Sequence, residues 1–170
     1  MIAHALRPVR PSLLIVSIML GLGACASQPA THESAAVRQE PARLSTAPVT
    51  VGERAAAVAL RQVGVPYRFG GSSPAGFDCS GLVHYSYASA GLAIPRTTAA
   101  LWARMAPVDA RSMRTGDLLF FDIQGKMSHV GIYVGDERFV HAPSTGKRVS
   151  VDSLDAEFYR RALIRGGRVR

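Results

Sequence analysis

The sequence predicts an α+β domain in which N-terminal helices pack on an antiparallel β-sheet. Two segments with helical apolar spacing come first, at residues 51–63 and 79–91. Because helices precede strands and do not alternate with them, the order indicates an antiparallel sheet rather than a parallel βαβ arrangement. The predicted strands are short apolar runs between turn residues, at residues 118–121, 130–134, 139–142, 148–151 and 162–164, the last of which is expected to close the sheet.

Both predicted helices carry start signals. Thr50 and Glu53 have the spacing of a capping box, which places the start of the folded domain near Val51. After a glycine-rich loop, Asp78 can cap a second helix that closes at Gly91.

The composition is that of a globular protein with a basic surface. The chain has 170 residues, of which 48% are hydrophobic, enough for one domain with a packed core. Lys and Arg outnumber Asp and Glu by 20 to 12, which favours contact with anionic membranes or wall polymers. No basic run or zinc-knuckle spacing occurs, so we expect no nucleic-acid partner. We expect a monomer without a cofactor or bound metal.

Residues 1–24 have the features of an export signal. Arg7 and Arg10 precede an apolar stretch at residues 13–22 that is too short to span a membrane. The stretch ends in the sequence LGAC, which resembles the lipobox of bacterial lipoproteins and implies that Cys25 is lipidated. The alternative is an ordinary secretory signal with a chance cysteine.

The next segment predicts a flexible tether between the lipid and a domain at residues 51–170. Residues 25–50 are rich in Ala, Ser, Thr, Pro and Gln and have no apolar periodicity. Ala26 in place of Asp implies, by resemblance to enterobacterial sorting, an outer membrane position facing the periplasm. We therefore expect a lipid-anchored protein of the cell envelope.

Cysteine usage singles out Cys79 as a reactive group. Only Cys25 and Cys79 are present, and lipidation of the first would leave the second unpaired in a compartment that permits disulfides. In the first turn of a helix and beside an imidazole, the thiol is expected to have a pKa below neutral. The alternative is a small buried hydrophobic residue, although Asp78 and Ser80 beside it are not typical of a core position.

Two of the five histidines can belong to a fixed site. His4 lies in the signal, His32 in the tether, and His84 on a different face of the second helix from the thiol. His129 and His141 lie on consecutive predicted strands. A lone histidine on a strand is usually structural, but two on one hairpin with an unpaired thiol indicate a Cys-His-His constellation.

The register of that hairpin decides whether the two imidazoles share one face of the sheet. Directly opposite residues of an antiparallel pair point to the same face, and side chains alternate along each strand. Because 129 and 141 are both odd, the two imidazoles share a face only if the numbers of two directly paired residues add up to an even number. Pairing Val134 with Arg138 through a three-residue loop meets this condition. A two-residue loop would pair Gly135 with Arg138 and would need a bulge to restore it. We expect hydrogen-bonded rings on the face that meets the second helix.

Six short segments carry a more specific signal. They are PYRFGG at residues 66–71, DCSGLV at 78–83, PRTT at 95–98, GDLLFF at 116–121, SHVGIYVG at 128–135 and FVHA at 139–142. In this order and spacing they resemble the NlpC family of bacterial cell-wall cysteine peptidases. The resemblance implies a compact papain-like fold.

The resemblance also implies roles for single residues. Cys79 would be the nucleophile, His129 the general base and His141 the third polar residue. Tyr67 would support the oxyanion beside the backbone N–H of Cys79, and Ser80 is assigned with it to oxyanion or substrate binding; for Tyr67 the alternative is a core tyrosine. The implied substrate is peptidoglycan, cut either within one peptide stem or at a cross-link between stems.

Two other functions would use the same residues. A zinc hydrolase would bind its ion through Cys79, His129 and His141, although the short ligand pairs typical of zinc motifs do not occur. A non-catalytic envelope lipoprotein would bind wall peptides with an idle fold, and the intact Cys and His pair speaks against it.

Overall fold

The computed structural model describes residues 48–123 and 125–169. The predicted signal peptide, Cys25 and most of the predicted tether lie outside the described residues. No helix in the described part is long and apolar enough to cross a membrane. The helices and strands within it are α1 Val51–Leu60, β1 Ser72–Ser73, β2 Gly76–Phe77, α2 Cys79–Ser89, α3 Thr98–Arg104, β3 Ala106–Val108, β4 Leu118–Asp122, β5 Met127–Gly135, β6 Arg138–His141, β7 Ser150–Ser153, α4 Glu157–Ala162 and β8 Leu163–Arg168.

Both predicted helix starts are confirmed by their caps. The Thr50 hydroxyl accepts a hydrogen bond from the Glu53 backbone N–H at 3.1 Å, and the Glu53 carboxylate accepts one from the Thr50 N–H at 2.7 Å. At the start of α2 the Asp78 carboxylate accepts the Gly81 N–H at 2.6 Å. These caps satisfy donors that the first helical turn leaves free, so α2 begins at Cys79.

The larger sheet has six strands in the order β3-β8-β4-β5-β6-β7, and every neighbouring pair is antiparallel. The predicted α+β class is confirmed. Ala162, predicted to begin the last strand, instead ends α4, and β8 begins at Leu163 and lies between β3 and β4 rather than at an edge. The sequence does not predict β1, β2, β3, α3 or α4, because such short elements show too little of a period.

The sheet buries a different cluster on each face. Along β4, Leu118 and Phe120 pack with α1, α2 and α3, whereas Leu119 and Phe121 pack with α4. The even-numbered residues Val130, Ile132 and Val140 join the first cluster, and the odd-numbered Tyr133 and Phe139 join the second. Within β5 and β6, even-numbered side chains therefore face α1 and α2 and odd-numbered ones face α4.

The hairpin between β5 and β6 has a two-residue turn. Gly135 pairs with Arg138 across Asp136 and Glu137, so the predicted pairing of Val134 with Arg138 is wrong. Asp136 and Glu137 have φ angles of 51° and 53°, as a type I′ turn requires at both central positions.

A bulge next to this turn restores the register in which the numbers of paired residues add up to an even number. Tyr133 pairs with Phe139, which leaves Val134 as an extra residue on β5. The sum of paired positions becomes even again, so His129 and His141 share a face, as expected. That face is the one covered by α4, and the prediction that it meets α2 is wrong, because the even-numbered apolar residues of both strands occupy the α2 side.

Replacing Glu137 by Gly should stabilise the hairpin. A side chain at a φ of 53° is strained, so its removal should raise the free energy of unfolding by about 0.5–1 kcal/mol. Arg138→Gly is the matched control, because Arg138 lies in extended β6 and glycine should be destabilising there. Urea denaturation measures both changes. A loss of stability at both positions would contradict the turn.

Candidate active site

One cleft collects four of the five residues predicted for the catalytic site. Tyr67, Cys79, His129 and His141 line it where the start of α2 meets the beginning of β5 and the end of β6. Ser80 is buried and does not line this cleft. The remaining walls come from Ile123, Ser128, Pro143, Ser144, Phe158 and Tyr159.

The thiol of Cys79 lies among polar groups of α3 and β5. Its Sγ is 3.8 Å from the Thr98 hydroxyl and 3.8 Å from the Ser128 carbonyl oxygen, and neither contact is with an imidazole. The backbone N–H groups of Val130 and Ser80 also lower the pKa of the thiol by hydrogen bonding. Ser128 is the extra residue of a second bulge, where β5 leaves its register with β4, and a bulge of this kind redirects backbone groups out of the ladder.

Burial raises the pKa of the Cys79 thiol, and this is the largest influence on it. The Thr98 hydroxyl and two backbone N–H groups lower that pKa, and the charge of Asp78 raises it. The prediction of a thiol pKa below neutral is therefore wrong for this structure. A helix start favours a thiolate by only about 0.3–1 kcal/mol, which burial outweighs. At neutral pH the thiol keeps its proton and needs a base in order to react.

His129 and His141 form a buried hydrogen-bonded pair. Nε2 of His129 lies 2.7 Å from Nδ1 of His141, and the two residues are 7% and 0% exposed. Burial, with the neighbouring His141, lowers the pKa of His129 to about 3, and burial also lowers the pKa of His141. Both rings are neutral at neutral pH, so each has one nitrogen that donates and one that accepts.

A carboxylate that the sequence does not single out completes the arrangement. Oδ2 of Asp152, on β7, lies 2.7 Å from Nε2 of His141 and accepts a hydrogen bond from the Tyr159 hydroxyl at 3.1 Å. The Ser150 hydroxyl lies 3.5 Å from the same ring nitrogen. Asp152 pairs with Phe139, which places it on the α4 side of the sheet with the histidines. The contact between Asp152 and His141 depends on the register of β6 with β7, which the sequence alone does not give.

Ser80 lies in a polar network behind the cleft. Its hydroxyl donates to Asp78 at 3.3 Å and accepts from Arg96 at 3.0 Å. Arg96 also donates to both carboxylate oxygens of Asp78, at 2.9 and 2.7 Å, and so holds the cap of α2 in place. The Ser80 hydroxyl thus points into this network, whereas its backbone N–H lowers the pKa of Cys79 by hydrogen bonding, and an oxyanion or substrate-binding role of Ser80 stays a prediction.

Tyr67 and His84 differ in their position relative to the cleft. Tyr67 is half-buried in the cleft wall, and burial, with the charges of Cys79 and Asp78, raises the pKa of its hydroxyl. A phenol that keeps its proton can donate a hydrogen bond into the cleft. His84 does not line the cleft, and its Nδ1 lies 2.8 Å from the Ile94 carbonyl oxygen.

The two imidazoles form a hydrogen bond with each other rather than point their nitrogens toward a shared metal position. In residues 48–123 and 125–169, no three His, Cys, Asp or Glu side chains are grouped to hold a metal ion. The cleft instead combines a thiol, which can act as a nucleophile, with a hydrogen-bonded row of groups that can accept and donate protons.

Known proteins share both the sequence pattern and the fold. Residues 64–168 match the NlpC/P60 family. The murein DD-endopeptidase MepH of Escherichia coli strain K12 is 41% identical over 116 residues, which cover 65% of this chain and 43% of MepH. The chain spans less than half the length of the curated relatives it matches.

Two solved structures extend the comparison to the fold. A Staphylococcus aureus protein described as similar to lipoprotein, of the NLP/P60 family, is 33% identical with a TM-score of 0.64, covering 70% of this chain and 41% of that one. The NlpC/p60 domain of the peptidoglycan hydrolase SagA is 32% identical with a TM-score of 0.62, covering 69% of this chain and 98% of that one.

Replacing Thr98 by Val should slow alkylation of Cys79. Loss of a hydroxyl that stabilises the thiolate by about 1 kcal/mol should raise the thiol pKa and lower the rate with iodoacetamide at neutral pH about fivefold. Thr98→Ser keeps the hydroxyl and is the matched control, and a Cys25→Ser background leaves one thiol to react. The rate should keep rising above about pH 8.5, as a raised pKa requires. A rate that levels off below neutral pH would contradict this view of the thiol.

Proposed function

The chain belongs to the NlpC/P60 family, and from this premise we propose that it is a cysteine-type endopeptidase that hydrolyses peptide bonds of peptidoglycan. The observation that carries the proposal is the cleft shared by Cys79, His129 and His141. A sulfur nucleophile and a neutral imidazole base are the groups that thiol-dependent amide hydrolysis needs. The names of SagA, a peptidoglycan hydrolase, and of MepH, a murein DD-endopeptidase, support the same substrate here.

The first half of the proposed cycle forms a thioester. His129 takes the thiol proton as the Cys79 sulfur attacks the amide carbonyl carbon, and the carbonyl oxygen takes up the electron pair. Backbone N–H groups at the start of α2 stabilise this oxyanion, and the Tyr67 hydroxyl donates to it from the cleft wall. The imidazolium of His129 then gives its proton to the leaving amine as the carbon–nitrogen bond breaks.

The second half releases the enzyme. His129 removes a proton from water, the resulting hydroxide attacks the thioester carbon, and the carbon–sulfur bond breaks as the proton passes to the sulfur. The cycle thus starts and ends with a neutral thiol and neutral imidazoles. Burial favours that state, since it raises the pKa of Cys79 and lowers the pKa of His129.

The bond that we favour is the cross-link between two peptide stems. The name of MepH, a murein DD-endopeptidase at 41% identity, supports a D,D-bond of that kind. Cleavage within a single stem, next to D-glutamate, is the alternative. The two differ in products, because cleavage of a cross-link turns a joined pair of stems into separate stems, whereas cleavage within a stem shortens it.

The proposed setting is the bacterial envelope. Residues 1–24 would be the lipoprotein signal, residues 25–50 the lipidated Cys25 and its tether, and residues 51–170 the catalytic domain. The LGAC sequence before the tether supports lipidation, and Ala26 supports the outer membrane of a diderm host. A structural neighbour from Staphylococcus aureus is itself described as similar to lipoprotein.

Full-length protein extracted in detergent should hydrolyse peptide bonds of peptidoglycan, and mass spectrometry should show separate stems if the cross-link is cut or shortened stems if the cut lies within a stem. Cys79→Ala should lower the rate at least about 10³-fold, because it removes the nucleophile. Cys25→Ser is the control and should hydrolyse at the wild-type rate. Full activity of Cys79→Ala would contradict the proposal. Loss of activity with a chelator would favour a zinc hydrolase, and binding without turnover would favour a non-catalytic lipoprotein.

Cys25→Ser should free the protein from membranes. Cells fed a palmitate analogue should label the wild-type chain but not this variant, and the variant should move to the soluble fraction. Cys79→Ser is the matched control and should remain labelled and membrane-bound. A Cys25→Ser protein that stays with the membranes would place the anchor elsewhere.

A further inference from the structure

We propose that Asp152 is a positioning residue, which acts through His141 to decide which ring nitrogen of His129 receives the thiol proton. The inference rests on the proposed peptidase function and gives a role to a residue outside the Cys-His-His constellation. Asp152 does not line the cleft, and its contacts with residues that do are hydrogen bonds to His141 and Tyr159. It touches neither the substrate nor the sulfur in this scheme.

The proton positions follow from the hydrogen bonds that start at the carboxylate. A carboxylate only accepts, so the nitrogen that faces it at 2.7 Å, Nε2 of His141, carries a proton. Neutral His141 then has a lone pair on Nδ1, which accepts from Nε2–H of His129 at 2.7 Å. His129 is also neutral, so its Nδ1 is left without a proton. That nitrogen is the base that the thiol requires.

The surroundings of His141 leave the carboxylate as the group that orients it. His141 is 0% exposed, and the Phe139 and Tyr159 rings lie 4.8 and 5.4 Å from its ring, centroid to centroid. The Tyr159 hydroxyl donates to Oδ2 of Asp152 and holds that oxygen in place. The polar groups that face His141 are His129 from β5, Asp152 and Ser150 from β7, and Tyr159 from α4.

Asp152 also favours the cation that forms during the reaction. Its charge raises the pKa of both His129 and His141, against the larger opposing effect of burial. The Asp152 side chain is 38% exposed, so water screens part of this charge. Orientation of the rings should therefore contribute more to the rate than the charge does.

Two substitutions separate orientation from charge. Asp152→Asn can keep an amide oxygen toward His141 and Tyr159, so it removes the charge and retains the hydrogen bonds. Asp152→Ala removes both, and His141 can then adopt either tautomer. We expect kcat on peptidoglycan fragments to fall about tenfold for Asn and about 10²–10³-fold for Ala, with KM within about twofold. Asp155→Ala, at an exposed site, is the matched control and should leave kcat unchanged.

Nitrogen-15 NMR of the imidazoles in the full-length protein gives a readout that needs no substrate. In the wild type, Nδ1 of His129 should be unprotonated and Nε2 protonated, whereas Asp152→Ala should show a mixture of tautomers. A purely structural role for Asp152 would change stability without changing the tautomers. Asp155→Ala should give the wild-type spectrum.

The outcomes separate this inference from the proposed function. A proton on Nδ1 of His129 in the wild type, or unchanged tautomers and kcat in Asp152→Ala, would overturn the inference. The expected tautomers in a wild-type protein that hydrolyses no peptidoglycan would refute the proposed function alone. If the Ala variant does not fold, Asp152→Leu decides instead, because it has a similar size and forms no hydrogen bond, and unchanged tautomers and kcat there overturn the inference.

Discussion

One unpaired residue, Val134, allows the two imidazoles to meet. The two-residue turn pairs Gly135 with Arg138, and continued without a bulge that register would place His129 and His141 on opposite faces of the sheet. His141 would then point among the apolar side chains that pack against α1 and α2, where a ring nitrogen would lack a polar partner. The bulge interrupts the ladder locally, and the 2.7 Å bond between the rings depends on it.

Cys79 and His129 reach the cleft from opposite faces of the same sheet. α2 packs on the face of Val130 and Ile132, whereas His129 lies with Phe121 on the face that α4 covers. The two sides meet at the beginning of β5, where the bulge at Ser128 brings a carbonyl to the thiol. The two bulges in β5 thus have separate effects. The bulge at Val134 places both histidines on one face of the sheet, and the bulge at Ser128 brings a backbone carbonyl to the thiol at the start of α2.

The features predicted from sequence are those with local signals. Helix caps involve residues three positions apart, so Thr50 and Asp78 could be assigned before any fold was known. Cys79 stood out through residue type and number alone. Asp152 and Thr98 could not be found this way, because strand register and helix packing bring them to the site from elsewhere in the chain. Those contacts belong to tertiary structure.

The prediction of a low thiol pKa is wrong because it, too, depends on tertiary packing. A helix start is visible in the sequence, but the burial that outweighs it is a property of the folded cleft. The orientation of Ser80 is also set from a distance, since Arg96 draws its hydroxyl toward Asp78. Local sequence signals therefore identify which residues belong to the site, whereas long-range packing determines their protonation states and the orientation of their side chains.

A protonated thiol reconciles reactivity with an oxidising envelope, the setting proposed for this chain. The thiolate is the form that oxidants attack, so an unpaired cysteine that keeps its proton is protected between turnovers. Burial supplies that protection at Cys79. In the proposed cycle, the proton leaves when a carbonyl carbon is present to accept the sulfur and His129 offers an unprotonated nitrogen. On this proposal, the hydrogen bonds from Asp152 through His141 to His129 would couple nucleophile formation to the bound substrate.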